Sequence, residues 1–319
     1  MSLSPLGRIV EIAEEGRHIA KARGFLTVAH QGAEIGRVAL DDLAAVIAAS
    51  PATTASCALL AELAERGIPF VLCGRNYAPA GLVWPVAGHH AQQRRMEAQA
   101  GATAALRKRL WTRLVEAKVL RQGAVLAARG QTAAAFTRWA RQVRAGDPDN
   151  IEAQAARRYW PLLMGPAFRR DPDGGGANAL LNYGYAVLRA GTARAIAAAG
   201  LHPGLGIFHR HPHNAMPLAD DLMEPFRPAV DARVRALLDR GVAEVTTEAK
   251  RHLAAVLTAE EATRAGTTPL GTCLMRLAAS VADSFVAGMA ALDLPLGGAA
   301  EDGAGAGEEG DGGADGPAE

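Results

Sequence analysis

Cysteine is scarce: the 319 residues contain three, Cys57, Cys73 and Cys273, far apart and without a CxxC pair. That excludes a disulfide framework and a cysteine zinc site, and a reducing cytoplasm is the compartment expected. The opening stretch MSLSPLGRIVEIAEEG has no basic segment leading into an apolar core, and no run of about 18 uncharged apolar residues occurs in the chain. Neither secretion nor membrane spanning is therefore expected. Phosphate-loop, HExxH and GxSxG motifs are absent, and GLHPGLG neither follows a strand pattern nor has dinucleotide-binding spacing. What is present is an ordinary globular composition, 49% apolar and 21% charged, sufficient for one large or two ordinary domains.

An excess of either charge is missing too, with 34 Lys and Arg against 33 Asp and Glu. The balance hides an asymmetry. Residues 297–319 hold seven acidic residues, nine glycines and no Lys or Arg, a composition that reads as a disordered acidic tail. The rest of the chain has 34 basic against 26 acidic residues, and Arg94 to Arg144 alone carries 12 basic residues against Glu97 and Glu116. Arg107, Lys108, Arg109, Arg113 and Lys118 lie in this stretch, which reads either as a footprint for a polyanion or as a solvated helix face.

From Arg8 to about Pro85 the apolar residues come in short runs, IVEIAEE, HIAKARG, FLTVAHQG and EIGRVAL, separated by glycine-bearing turns. This predicts a small β-domain of successive hairpins, interrupted by a helix over Ser56–Arg66 that Gly67 ends. A buried strand, IPFVLCG, and the segment GLVWP follow. Beyond Gly88 the chain turns to long Ala-, Leu- and Arg-rich segments of helical period, among them Ala177–Ala199, Val230–Leu238 and Leu274–Leu292. The predicted class is α+β: an N-terminal β-domain over 1–88, then an all-α domain over 89–296, with GDPDN and DPDGGG as internal loops.

Three places can carry chemistry. Glu152 follows the GDPDN loop where a helix can start with Asp149 as N-cap; D-x-x-E is also a capping-box spacing, so Glu152 reads as a ligand or merely as a cap. His209 ends the breaker-rich segment GLHPGLGIFH and reads as a ligand or a packing residue. In ADDLMEPFRP, Asp221 and Glu224 share a helix face at i, i+3, and three acids within five residues exceed what one cap requires. Two carboxylates and one imidazole suit a divalent cation, Mg²⁺ or Mn²⁺, and such a site suits phosphodiester chemistry. A competing metal site is the triplet His209, His211 and His213, which an extended segment would present to zinc on one side. Asn178, Asn182 and Tyr185 form one stripe at i, i+4, i+7 that either orients DNA or Glu152 or is a buried polar stripe bonding neighbouring helices, whereas Tyr159 and Trp160 read as core.

The motifs IPFVLCG with GLVWPVAGHH, IEAQAARRYWPLL, NALLNYGYAVLRAGTARAIAAAGLHPGLGIFH and LADDLMEPFRPAVD stand in one order. Together they resemble the CRISPR-associated endonuclease that serves as catalytic integrase subunit in spacer acquisition, and are most similar to its type II branch. The resemblance runs to about Pro295; it does not include the acidic tail. It implies metal ligands at Glu152, His209 and Glu224, with Asp221 as the neighbouring acid. Glu224 stands where relatives carry aspartate. It further implies a β-sandwich-like N-terminal domain, an α-helical catalytic domain, a homodimer, a small dimeric companion protein and double-stranded DNA, both fragment and repeat array, as partners. The expected reaction is metal-assisted transesterification, a 3′-hydroxyl attacking a phosphodiester at the border of the array. The competing readings are a non-catalytic DNA-binding scaffold and a zinc hydrolase using the histidine triplet.

Overall fold

A computed structural model describes residues 8–74, 79–83, 85–86, 89–263 and 266–296. The acidic tail, 297–319, lies outside the described residues. The N-terminal part holds strands β1 (Arg8–Ile12), β2 (Arg17–Ala22), β3 (Phe25–His30), β4 (Ala33–Ala39), β5 (Leu43–Ala48) and β6 (Thr54–Ala55), helix α1 (Cys57–Glu65), and strands β7 (Phe70–Cys73) and β8 (Pro79–Val83).

They form two four-stranded sheets, in the orders β1-β5-β7-β8 and β4-β3-β2-β6. Hairpins join β2 to β3 and β3 to β4, as the turn signals predict. The first strand departs from that expectation: β1 pairs in parallel with β5, which pairs in parallel with β7. A parallel partner cannot be reached by a tight turn and requires a crossover, here the whole β2–β4 meander. Ile12, Val46 and Phe70 of one sheet, Ile19 and Leu26 of the other, and Leu59 and Leu63 of α1 share one apolar core. The helix starts where the sequence places it, with the Ser56 hydroxyl accepting from the Leu59 amide at 3.2 Å, and Gly67, at φ +65°, turns the chain out of it.

Successive strand residues face opposite sides of a sheet. Val46 and Phe70 therefore enter this core, while Ile47 and Val71 enter a larger one made by the helices. The helices are α2 (Gln92–Ala100), α3 (Ala104–Ala127), α4 (Ala134–Gln142), α5 (Ile151–Met164), α6 (Ala177–Ala198), α7 (Pro217–Met223), α8 (Arg227–Asp239), α9 (Thr247–Ala254) and α10 (Leu270–Ala287). The C-terminal part is mostly but not wholly helical, because strands β9 (Glu260–Thr263) and β10 (Gly266–Pro269) pair as an antiparallel hairpin before α10. The polar residues of EEATRAGTTP lack the apolar run by which the other strands are read.

Helix α3 runs through the helical layer, burying Leu106, Leu110, Leu114, Val115 and Val119. Helix α6 packs so closely on α8 that a Cβ at Gly184 would lie 2.4 Å from Val230 Cγ1, so glycine is what permits this approach. Helix α10 is the one described helix with the length and hydropathy of a membrane span, yet half of it is buried within the protein. It carries Arg276 and Asp283 and packs on α6, which makes it a core helix.

Candidate active site

The residues singled out by the motifs come from three elements that meet at the middle of α3. Helix α5 brings Glu152. Its start is fixed by Asp147, whose carboxylate accepts from the amides of Ile151 at 2.8 Å and Glu152 at 3.0 Å. Asp149, the expected cap, is instead held in a two-pronged pair with Arg144. The chain reaches the helix through left-handed backbone at Asp147 and Asn150, φ +52° and +53°, which moves the capping acid two residues upstream. Asp147 thus takes the N-cap role expected of Asp149, and the Glu152 carboxylate, instead of reaching back to the N-cap amide as a capping box requires, turns to α3, where Lys118 donates to it.

The segment before α7 brings His209. Gln99, fully buried on α2, grips it by donating to the carbonyls of His202 and Leu205 and accepting from the His202 amide. Arg107 donates to the Gly206 carbonyl at 2.6 Å. Asp221, wholly buried on α7, gathers the rest: its carboxylate accepts the amides of Ile207, Phe208 and His209 and the His209 Nδ1–H at 2.7 Å. A Cβ at Gly206 would stand 2.6 Å from the His209 carbonyl and 3.1 Å from Asp221, so only glycine lets this turn close over the acid. Phe208 stacks on Trp111 with ring centroids 4.2 Å apart, and the His209 ring stands edge-on to both. With Nδ1 bound to Asp221, Nε2 is the nitrogen left for a ligand. The bond to Asp221 raises the His209 pKa against the opposing effect of burial, and the Glu224 charge adds to the rise.

Glu224 sits in the single turn between α7 and α8. Its Oε1 accepts from Arg227 Nε at 2.9 Å. Its Oε2 is buried, lies 2.5 Å from Lys118 Nζ, and accepts no directed hydrogen bond. Burial alone would push this carboxyl up, but Arg227 and Lys118 outweigh it and hold the pKa at about 2. Asp220, the third acid of the motif, turns away to Asn214 and Arg189. Behind the site Asp231, buried, accepts from Tyr185, and burial pushes it up to about 7 despite that bond. Arg227 lies over the Tyr185 ring, 4.6 Å from its centroid, and so ties Glu224 to this pair.

Glu152, Glu224, His209 and Asp221 are thus brought together, with Lys118 linking the two glutamates. Among the described residues no three His, Cys, Asp or Glu side chains stand within metal-holding distance of one another. The donor set nonetheless fits a hard divalent cation: two carboxylates whose one neighbouring ammonium marks a seat for positive charge, a buried oxygen without a directed donor, and an imidazole anchored through its other nitrogen. The alternative triplet is not assembled. His211 and His213 are exposed and lean on each other, while His209 faces Asp221.

Other expected interactions are relocated. Lys118 is not on the basic surface but buried in the site, and Arg107 is spent on backbone carbonyls. Lys108, Arg109 and Arg113 do lie exposed on α3. Asn178 and Asn182 both accept from Arg170 and both donate to the carbonyls of 169–172, so their partners lie in the segment leading into their own helix and not on a neighbouring helix. Tyr159 is core. Missed by sequence reasoning were Asp147, Arg227 and the position of Lys118. Arg227 could have been found three residues after Glu224 on the same face. Lys118 continues the apolar series Leu110, Leu114 at i+4, a signal that it points inward.

This arrangement of strand-rich and helical parts is also that of a casposase bound to integration product, with a TM-score of 0.74 at 18% identity over 90% of this chain and 92% of that one. A Cas6-RT-Cas1–Cas2 complex shares it with a TM-score of 0.71 at 18% identity, over 93% of this chain and 37% of that one. A family model described as CRISPR associated protein Cas1 matches residues 10–267. A CRISPR-associated endonuclease Cas1 of Neisseria meningitidis serogroup C (strain 8013) is 38% identical over 246 residues, 76% of this chain and 80% of that protein. The chain belongs to the Cas1 family of CRISPR-associated endonucleases.

Proposed function

We propose that the protein is a divalent-metal-dependent DNA integrase, joining short DNA fragments to a CRISPR repeat array by transesterification in the cytoplasm. The observation that carries this is that Lys118 bridges Glu152 of α5 and Glu224 of the turn before α8, with the Asp221-held His209 near enough to Glu224 to feel its charge. In this reading Glu152 and Glu224 supply oxygen donors and His209 supplies Nε2 to Mg²⁺ or Mn²⁺. What such an ion contributes is polarisation of a phosphate oxygen, a more acidic attacking hydroxyl and charge compensation in the transition state.

The chain's own residues do the positioning. Asp221 fixes the imidazole plane and tautomer, Arg227 holds Glu224 through Oε1, and Asp147 sets the first turn from which Glu152 projects. No covalent protein nucleophile is required: the fragment's 3′-hydroxyl forms a new P–O bond as the target strand's P–O bond breaks, and the departing strand takes the proton. Exposed Lys108, Arg109 and Arg113 hold the duplex backbone. A homodimer working with a small companion protein is part of the reading; the Cas1–Cas2 complex among structures of this fold supports the companion.

The test is incubation with supercoiled repeat-array DNA and a short duplex, in Mn²⁺ or in EDTA. Joined products in Mn²⁺ alone, lost in Glu152→Ala and Glu224→Ala, are expected. Joining that survives EDTA or either substitution would overturn the assignment.

A further inference from the structure

Lys118 is a lysine where a leucine would be expected. It continues the inward stripe of Leu110 and Leu114 on α3 and is 8% exposed. An ammonium taken from water is costly unless it is paired and hydrogen-bonded. Its pairs are Glu152 of α5 and Glu224 of the turn before α8, so one ammonium joins three elements. These are the same two carboxylates that the functional reading gives to a divalent ion, and Glu224 Oε2 has that ammonium as its close partner without a directed hydrogen bond. A lysine suits a shared position of this kind. Its charge is compact and its stem flexible, so it can occupy the point between two acids and withdraw from it, whereas a planar guanidinium locks to one partner. Arg227, on the opposite oxygen of Glu224, already plays the fixed part.

We propose that Lys118 is a resident counter-ion for Glu152 and Glu224 that gives way to the divalent ion. It keeps the two acids together when no ion is bound, and it weakens ion binding by competing for the same oxygens. The inference rests on the reading of Glu152 and Glu224 as metal donors. Its consequence has a sign that a plain structural role lacks. Removing the ammonium leaves two carboxylates facing each other without their shared cation, so the ion-free protein loses stability while its affinity for a divalent ion rises.

The experiment uses the full chain with Mn²⁺ as probe, by calorimetric titration and by thermal melting in EDTA and in Mn²⁺. It compares the parent, Lys118→Met, Lys118→Gln and the paired Glu152→Gln/Glu224→Gln variant. Both Lys118 variants are expected to melt lower in EDTA, to bind Mn²⁺ about tenfold more tightly or better, and to gain more melting temperature from Mn²⁺ than the parent does. A Lys118 variant that folds only when Mn²⁺ is supplied supports the same conclusion. Variants that bind Mn²⁺ no more tightly than the parent, or that stay unfolded in Mn²⁺, overturn it. The paired glutamate variant separates the two levels. If parent binding does not depend on Glu152 and Glu224, the metal assignment itself fails; if it does and the Lys118 variants show no gain, only the counter-ion role fails.

Discussion

His209, His211 and His213 are alike in the sequence and unlike in what their rings touch. His209 gives Nδ1 to a buried aspartate and stands against Trp111, whereas the other two are exposed in the following turn. His209→Ala is therefore expected to abolish Mn²⁺-dependent joining, and His211→Ala and His213→Ala to retain most of it, as a surface substitution costs less than about 0.5 kcal/mol. Equal loss in all three, with about one zinc retained by the parent, would restore the zinc reading. The buried acids make a second residue-scale prediction with two opposite signs. Glu224, held at about 2, lies below its ordinary value of 4.5, so its contribution is complete above that value and is lost as pH falls toward 2. Asp231, pushed by burial from 3.8 to about 7, contributes stability below 3.8 that is lost as pH rises through 7. The melting-temperature gap between the parent and Glu224→Gln should thus shrink on acidification from pH 6 to pH 3. Asp231→Asn should gain on the parent between pH 5 and pH 8. Parallel melting curves across either range would contradict the corresponding assignment.

At the scale of elements, the N-terminus of α5 shows how a local device governs the site. Asp147 caps two amides, one of them that of Glu152, so Asp147→Ala is expected to cost about 1 kcal/mol of stability. It should also cut joining about tenfold or more, because the first turn that aims Glu152 loosens. Asp149→Ala, which only frees exposed Arg144, should leave both near the parent; equal effects in melting and joining assays would refute the difference. The sequence pattern places a cap at this loop but points to Asp149, since left-handed backbone at Asp147 and Asn150 cannot be read from spacing. The same limit separates what is legible elsewhere. The β2–β3–β4 hairpins and α1 carry their instructions locally, in glycine turns, an N-cap serine and an i, i+4 stripe. The parallel pairing of β1 with β5 depends on residues more than thirty positions apart, and no local signal encodes it. Glu152, His209, Asp221 and Glu224 stand out as candidates beside breakers and clustered acids, but spacing alone leaves a cap or packing role open to them, and it is the family resemblance that groups them as one site. Lys118 reads as a DNA-surface cation when its charge is counted before its periodicity with Leu110 and Leu114.

Across the whole molecule, charge is divided between a basic helical part and an acidic terminal stretch. Truncation after Leu296 is expected to preserve both the melting temperature and joining, because nothing in the composition of 297–319 can build a core; loss of either would show that the stretch contributes to the fold. The basic residues of α3 divide by what they already hold. Arg107 donates to Gly206, Gln99 and Ala102 carbonyls, and Lys118 lies between two glutamates, so neither is available to a phosphate on the outer surface. Lys108 and Arg109 are exposed, and Arg113 has only an exposed pair with Glu116. Each phosphate these residues neutralise releases condensed counter-ions from duplex DNA, so every such cation removed should lower the slope of log K against log salt by about 0.9. Replacing Lys108, Arg109 and Arg113 together by glutamine should therefore reduce the slope by up to about 2.7 while leaving the melting temperature unchanged. Arg107→Gln should do the reverse, lowering the melting temperature by loosening the His209 segment without flattening the salt dependence. Titrations of duplex DNA at several salt concentrations measure both. An unchanged slope in the triple variant would place this face of α3 against a protein partner instead of DNA.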